Sequence, residues 1–456
     1  MTGRPCLALL TLLSLPCLAG ADWPQFRGAS GSATSDDTGL PDHWDKSTNL
    51  VWKAKLPGRG ASSPIILGDR VYVTCYSGYG TGRDDAGDRK KLVRHLVCLD
   101  RQEGNVVWKT DIHSDTPEAN YGGQMQQHGY ASNTPATDGK RIYVFLGTAG
   151  VYAFDLAGKQ IWQRGVGTGT DGWGSGSSVR LLDDLVIVNA AIESNAVVAL
   201  DRENGDEKWR FKVAKRSWST PAIIETEGGR RELVINSEGR ISGLDSTGKE
   251  LWHCDGVQDY TCPSVVPGKG VAYICGGRSS NLIAVRGGGS GNVNDTHVLW
   301  RKRIGANVPT PVLYKGHLFG VGDRGGIAFC VNAETGEIDY QQRLQENNDP
   351  VVRPAAYQPP PGGGGRGRRG GGRGGMGRGG FGGGLQFYAS AVAADDKIFV
   401  PSRTSGVFVL AAQPKFELVS CNKLEGDSST FDGTPAISAG QLFLRSNESL
   451  YCVGAR

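Results

Sequence analysis

Beyond residue 18 the sequence contains no apolar run approaching the eighteen or more residues that a bilayer-spanning helix requires. No segment after residue 21 sustains a helical period of apolar residues, which argues against a helical bundle or an α/β fold. The signatures Gly-x-Ser-x-Gly, His-Glu-x-x-His and the phosphate-binding P-loop are missing, and with them the local chemistry of common hydrolases, zinc proteases and nucleotide enzymes. There is no Cys-x-x-Cys-His haem site, no zinc-type cysteine spacing and no pair of adjacent cysteines. Charge of one sign is missing too: 50 Lys and Arg against 46 Asp and Glu leave +4. Setting aside Arg4 and five arginines between 366 and 378 leaves −2 (4 minus 6), so the bulk of the chain carries no basic groove for nucleic acid.

What is present begins with a leader. Residues 1–21 hold one arginine, an apolar stretch from Leu7 to Leu18 and then Ala19-Gly20-Ala21, the pattern of a secretory signal cut before Asp22. Cys17 lacks the preceding leucine and small residues of a lipidation site. The expected mature protein is therefore exported, periplasmic or secreted. Eight cysteines remain in it, and oxidising surroundings would permit Cys75–Cys98 or Cys254–Cys262 bridges. Spacing equally allows them to be small buried strand residues.

The organising feature is a unit that recurs eight times. Its openings are Ser62-Ser63-Pro64, Asn133-Thr134-Pro135, Ser177-Ser178-Val179, Ser219-Thr220-Pro221, Thr261-Cys262-Pro263, Pro309-Thr310-Pro311, Ala389-Ser390-Ala391 and Gly433-Thr434-Pro435. Most lie about 45 residues apart, the length of one four-stranded propeller blade. Downstream closers are Trp108, Trp162, Trp209, Trp252, Trp300, Tyr340 and a weaker apolar one at Leu418. The missing eighth, Trp52 in Leu50-Val51-Trp52-Lys53, precedes the first opening. A unit split between the two ends is what closing a ring demands. The sequence predicts an all-β, eight-bladed β-propeller over residues 48–456, of four-stranded antiparallel blades closed by an N-terminal strand, with an extension at 22–47. In blade 1, strands are expected at 63–67, 71–76, 95–100 and 106–110.

Between the third and fourth strands (C and D) of the fuller units lies an Asp- or Asn-capped turn with glycine at the bend, as in Asp201-Arg202-Glu203-Asn204-Gly205 before Trp209. At Leu244-Asp245-Ser246-Thr247-Gly248-Lys249-Glu250-Leu251-Trp252 and Phe154-Asp155-Leu156-Ala157-Gly158-Lys159-Gln160-Ile161-Trp162, the chain resembles the PQQ-type (quinoprotein) propeller repeat. The resemblance covers residues 50–456. It implies the propeller fold, and leaves activity open, because that family includes quinone-dependent alcohol and sugar dehydrogenases as well as non-catalytic members. Among the latter is the scaffold propeller of the outer-membrane β-barrel assembly machinery. Asp22-Trp23-Pro24-Gln25-Phe26-Arg27-Gly28 is also similar to the start of many exported bacterial proteins of this repeat type.

Strand order sends the D–A connections and the B–C loops to one rim. Three long segments, 77–94, 111–131 and 343–387, therefore belong to one face. Just before strand A on that face stand Tyr130, Trp173, Trp218, Tyr260, Asn307, Tyr388 and Phe431, candidates for an aromatic binding mouth or for a plug beneath the insertions. The strip Tyr121–Tyr130, with His113, Asp115 and Glu118 nearby, is polar but matches no standard metal spacing. Glu193, Asn195, Asp171 and Asp259 lie near the same loops, yet form no assignable calcium set. Residues 359–384 are glycine broken by arginine and are expected to be disordered. These features favour a non-enzymatic exported scaffold that presents one rim to a protein or envelope polymer, with no cofactor, no metal and no nucleic acid. The alternatives are a dehydrogenase using PQQ and Ca²⁺, and polyanion binding through the Arg/Gly tract.

Overall fold

The computed structural model describes residues 22–82, 85–123, 125–213, 216–345 and 385–455. The leader at 1–21 and the Arg/Gly tract at 359–384 lie outside the described residues. Eight sheets of four antiparallel strands form; inner strands of successive sheets meet from the fourth sheet to the eighth, and the first also meets the last. This is the expected eight-bladed propeller. Blade 1 comprises Ile65–Leu67, Arg70–Ser77, Val93–Asp100 and Val106–Ile112. Its B and C strands are almost wholly buried because both faces meet neighbouring blades, whereas the outer D strand alternates towards solvent.

Blade 8 takes three strands from the C-terminus, Ala436–Ser438, Gln441–Arg445 and Ser449–Val453, and its fourth, Leu50–Lys55, from the N-terminus. Trp52 pairs with Cys452 and Lys55 with Ser449, so the ring is closed by antiparallel hydrogen bonding between the chain ends.

One joint recurs between blades. The D-strand indole donates to a carbonyl in the next blade's C–D turn: Trp52 to Arg101 (2.8 Å), Trp108 to Leu156 (3.1 Å), Trp162 to Arg202 (3.1 Å), Trp209 to Ser246 (2.9 Å) and Trp300 to Ala333 (3.1 Å). The turn glycine lies flat on the same indole. At Gly205, φ is +76° and an added Cβ would stand 2.6 Å from the Trp162 ring. That position requires glycine twice over, for the backbone conformation and for the indole's approach. Blade 4 departs from the pattern. Its Trp252 donates instead to the buried Glu232 carboxylate (2.7 Å), and the short strand Gly291–Asn292 from the next blade pairs parallel onto its outer edge.

Blade 7 has Leu418 where the others have an aromatic closer. In blades 1, 2, 5 and 8 the docking tryptophan packs on a B-strand ring of its own blade; in blade 7 the B-strand ring is Phe399, and its partner is Trp44 from the N-terminal extension (6.4 Å). Trp44 is fully buried and its backbone amide donates to Asn422 on the blade 7 D strand (3.1 Å). The extension thus supplies the aromatic that blade 7 lacks. Further upstream it crosses the axis, bridging Trp23 to Ile66 in blade 1 and Thr34 to Ala393 in blade 7.

Cys75, Cys98, Cys254, Cys262, Cys275, Cys330 and Cys452 are free thiols. Cys75 and Cys98 face opposite sides of blade 1 and enter different interblade cores, so adjacency of strands does not make them a disulfide pair.

Replacing Gly205 with alanine is expected to cost about 1–3 kcal/mol through φ strain and the clash with Trp162. Trp44→Ala is expected to cost about 3–5 kcal/mol, as other buried aromatic truncations do. Both should lower the thermal midpoint, and an unchanged midpoint in either would contradict these joints.

Candidate functional site

The central channel opens on the D–A and B–C face into a cavity of about 170 Å³. Its walls are the residues that open each blade. The backbone amide of one opening donates to the hydroxyl of the next: Ser63 to Thr134, Thr134 to Ser178, Ser178 to Thr220, Thr220 to Ser264, Ser264 to Thr310, Thr310 to Ser390 and Ser390 to Thr434, all at 2.9–3.0 Å. The ring position in blade 5 is Ser264, just after the Thr261-Cys262-Pro263 opening read from sequence. Pro263 drew the reading two residues early.

Above this ring, the sequence candidates divide into separate groups. Trp173, Trp218 and Tyr260 come together: the indoles are 6.2 Å apart and Tyr260 meets Trp173 edge-on at 5.6 Å. Each is half-buried. The trio is held firmly. Asp171 accepts from the Trp173 amide (2.9 Å) and from Arg216 (2.8 Å), while Trp218 donates from its indole to Gly174 (2.8 Å) and from its amide to Thr261 (3.0 Å). Arg278 lies over the Tyr260 ring at 4.7 Å and donates to its hydroxyl at 2.5 Å. Tyr260 holds φ of +48°, an uncommon conformation for a bulky residue that these contacts sustain. Together with Glu238 and Asp259, the group lines a cleft of about 250 Å³ beside the channel mouth.

Tyr388 sits across the mouth beneath a second network. The Arg403 guanidinium stacks 4.3 Å over its ring and pairs with buried Asp432 (2.7 Å). Arg403 also donates to Gln127 (2.6 Å) and Gln386 (3.4 Å). Gln127 belongs to the one-turn helix Met125–His128, so the connection after blade 1 reaches over the mouth to blade 7. His128 donates from Nε2 to the Trp173 carbonyl (2.7 Å), while Nδ1 faces Ser132 Oγ (2.6 Å); burial holds its pKa below the usual histidine range. This strap and the ends of the 343–387 segment meet at one rim.

Tyr130 lies under the strap rather than at the mouth. It packs with Tyr76, Tyr79 and Tyr121, and its hydroxyl donates to Ala119 (2.7 Å). Phe431 is buried against Tyr451, and Asn307 is anchored through its amide to Asp323 (3.0 Å). Arg403, Asp432 and Arg278 were not singled out from sequence. Arg403 and Gln127 are 276 positions apart, and nothing local in the chain announces their meeting.

A PQQ-dependent activity would call for a calcium ion and a quinone. Here Asp171 is committed to Arg216, and Asp259 lies beside Arg278 at 3.8 Å. Among the described residues, no three His, Cys, Asp or Glu side chains converge as cation ligands. Glu193 is buried below the mouth with Oε2 unpartnered, and burial pushes its pKa up to about 7. Glu118, nearby, is paired with Arg94 and accepts from Thr148 (2.6 Å).

A folded-state pKa near 7 against an ordinary value of 4.5 means the folded chain holds a proton that the unfolded chain has lost. Stability should therefore fall by up to roughly 3 kcal/mol as pH rises from about 4.5 to 7, then level off. Glu193→Gln should flatten that slope in unfolding measurements across this range. An identical slope in wild type and variant would contradict the assignment.

The family model described as "Outer membrane protein assembly factor BamB", a PQQ-like repeat family, matches residues 89–222. The crystal structure of BamB from Moraxella catarrhalis superposes with a TM-score of 0.55 at 13% identity, covering 89% of this chain and 99% of that one. The computationally designed Ika8 protein superposes at 0.58 with 8% identity, covering 89% and 100%. No curated protein matches in sequence. At such identities, likeness to solved structures carries the fold.

Proposed function

Starting from a PQQ-like β-propeller, we propose that this chain is an exported, non-enzymatic scaffold that binds a protein partner in the bacterial envelope through the Trp173–Trp218–Tyr260 rim. The observation that carries the reading is the aromatic trio beside the channel. Three half-buried rings are fixed by backbone and arginine contacts and border an open cleft. Rigid aromatic and arginine side chains at a preformed surface are the groups that dominate protein interfaces. Likeness to BamB, named for outer-membrane assembly, adds support for a partner in that compartment. No described helix is long and apolar enough to cross a membrane, in keeping with a partner reached from the aqueous side.

A quinone-dependent dehydrogenase is the second reading, since Trp173 and Trp218 could plate a planar ring. The committed Asp171 and Asp259 weigh against it.

The rim is tested by placing a photo-crosslinking residue at position 173 or 260 and, as controls, at 159 or 249 in the opposite C–D turns. Expected is one discrete adduct from the first pair and none from the second. With that partner purified, Trp218→Ala should weaken binding at least tenfold and Lys249→Ala should leave it unchanged. Adducts from the C–D turns alone would overturn the proposal.

A further inference from the structure

Blade 1 carries a polar chain of side chains that the scaffold reading does not use. Ser77 ends its B strand, His95 lies on the C strand and Asp111 on the D strand. Asp111 stands directly opposite His95 in the ladder, and Ser77 is two residues beyond Cys75, which His95 faces on its other side. Period-two alternation therefore puts all three side chains on one face of the sheet. Ser77 Oγ is 2.7 Å from His95 Nε2, and Asp111 Oδ1 is 2.6 Å from His95 Nδ1. Serine on one ring nitrogen and a carboxylate on the other is the order of groups that activates a serine nucleophile.

The neighbouring charges place the protons. Lys109 Nζ also reaches Asp111 Oδ1 (2.6 Å), and this contact, with that from His95, holds the Asp111 carboxyl below its usual range. An ionised carboxylate only accepts, so the imidazole proton stands on Nδ1. Burial, with Lys109 and His113 nearby, holds the His95 pKa below the usual histidine range against the pull of Asp111. At neutral pH the ring is uncharged, Nε2 is bare and the Ser77 hydroxyl donates to it. That is the protonation state and tautomer able to take a proton from serine. His128 is arranged otherwise: its Nε2 proton is spent on the Trp173 carbonyl, and Ser132 faces its other nitrogen.

The serine lies at the surface. Ser77 is half-buried, and the next residue, Gly78, is exposed with φ of +82°. A side chain there would run into the Lys91 carbonyl, so the turn after Ser77 requires glycine. The Gly78 amide meets no acceptor among the described residues. The amide that follows a nucleophilic serine is a common donor to the oxyanion formed on attack.

We propose that Ser77 is an activated nucleophile that accepts an acyl group from an activated carboxylic ester, with His95 as its base and Asp111 as the positioning residue. Ser77 Oγ bonds to the ester carbonyl carbon while its proton passes to His95 Nε2, and the carbonyl π pair moves onto oxygen. When that pair returns, the bond to the leaving alcohol breaks, and His95 gives its proton to the departing oxygen. The products are an acyl ester on Ser77, the free alcohol and a neutral His95. This is a covalent modification of blade 1. It does not rest on the rim, because Trp173, Trp218 and Tyr260 stand at the entries to blades 3, 4 and 5.

The test treats the folded mature chain with a fluorophosphonate and, separately, with p-nitrophenyl acetate, and locates adducts by peptide mass mapping. Expected is a phosphonyl or acetyl group on Ser77, absent from chain denatured in urea beforehand. His95→Gln should slow labelling by roughly a hundredfold or more. Asp111→Asn should slow it too and move the midpoint of its pH dependence to lower pH, because the imidazolium loses its carboxylate while Lys109 and His113 remain. A merely structural hydrogen bond would leave that midpoint in place. Should either variant fail to fold, the comparison of folded with denatured wild-type chain decides. No Ser77 adduct on the folded chain, equal labelling of the denatured chain, or undiminished labelling of a folded His95→Gln protein would each overturn the proposal.

Discussion

The structure depends on a relay of hydrogen bonds around its axis. The opening residues of blades 1 to 7 each pass the amide to the hydroxyl of the next, with serine and threonine alternating through Ser63, Thr134, Ser178, Thr220, Ser264, Thr310, Ser390 and Thr434. An inner strand of two to four residues has little apolar surface with which to fix its neighbour. The relay supplies direction instead, because an amide proton must point at an oxygen within a narrow cone. It satisfies backbone donors that would otherwise be buried unpaired, and it sets the spacing at which the outer tryptophans reach the next blade's turn. Inner hydroxyls and outer indoles are thus two ends of the same lever.

The N-terminal extension repairs what the repeat leaves undone. Blade 8 lacks an outer strand and receives Leu50–Lys55; blade 7 lacks a docking aromatic and receives Trp44. The channel lacks a floor and receives the crossing from Trp23 to Thr34 with Phe26 turned into the cavity. One segment of some thirty residues completes two blades and closes the axis. Loss of its contacts would therefore be felt at the ring joint and at the channel together.

Periodicity made the blades legible, since openings, capped turns and tryptophans repeat with the chain. Trp52 before the first opening gave away the circular closure, and Gly205 or Gly248 marked the turns. The departures are where the period breaks. Nothing in the sequence tied Trp44 to Phe399, because the partnership joins the extension to a blade some 350 positions later. The aromatic mouth was legible in part: Trp173, Trp218 and Tyr260 occupy equivalent places in consecutive blades and therefore meet. Tyr130 occupies such a place too, but the insertion packed over it converts it into a core residue. Arg403, Asp432 and Arg278 were invisible for a different reason. Their significance lies in which charges do or do not find a partner, and that is settled only by the fold.

A rim built on loops serves as a binding surface when the ring beneath it is stiff, since ordering costs are then met before the partner arrives. The account therefore stands on the relay acting as one cooperative unit. Hydrogen–deuterium exchange, resolved to the amides of Ser63, Thr134, Ser178, Thr220, Ser264, Thr310 and Ser390, reads this directly. The account predicts that all seven exchange slowly and at a common rate set by unfolding of the whole ring. Fast exchange at any one of them, with the others protected, would show blades opening independently and would contradict it.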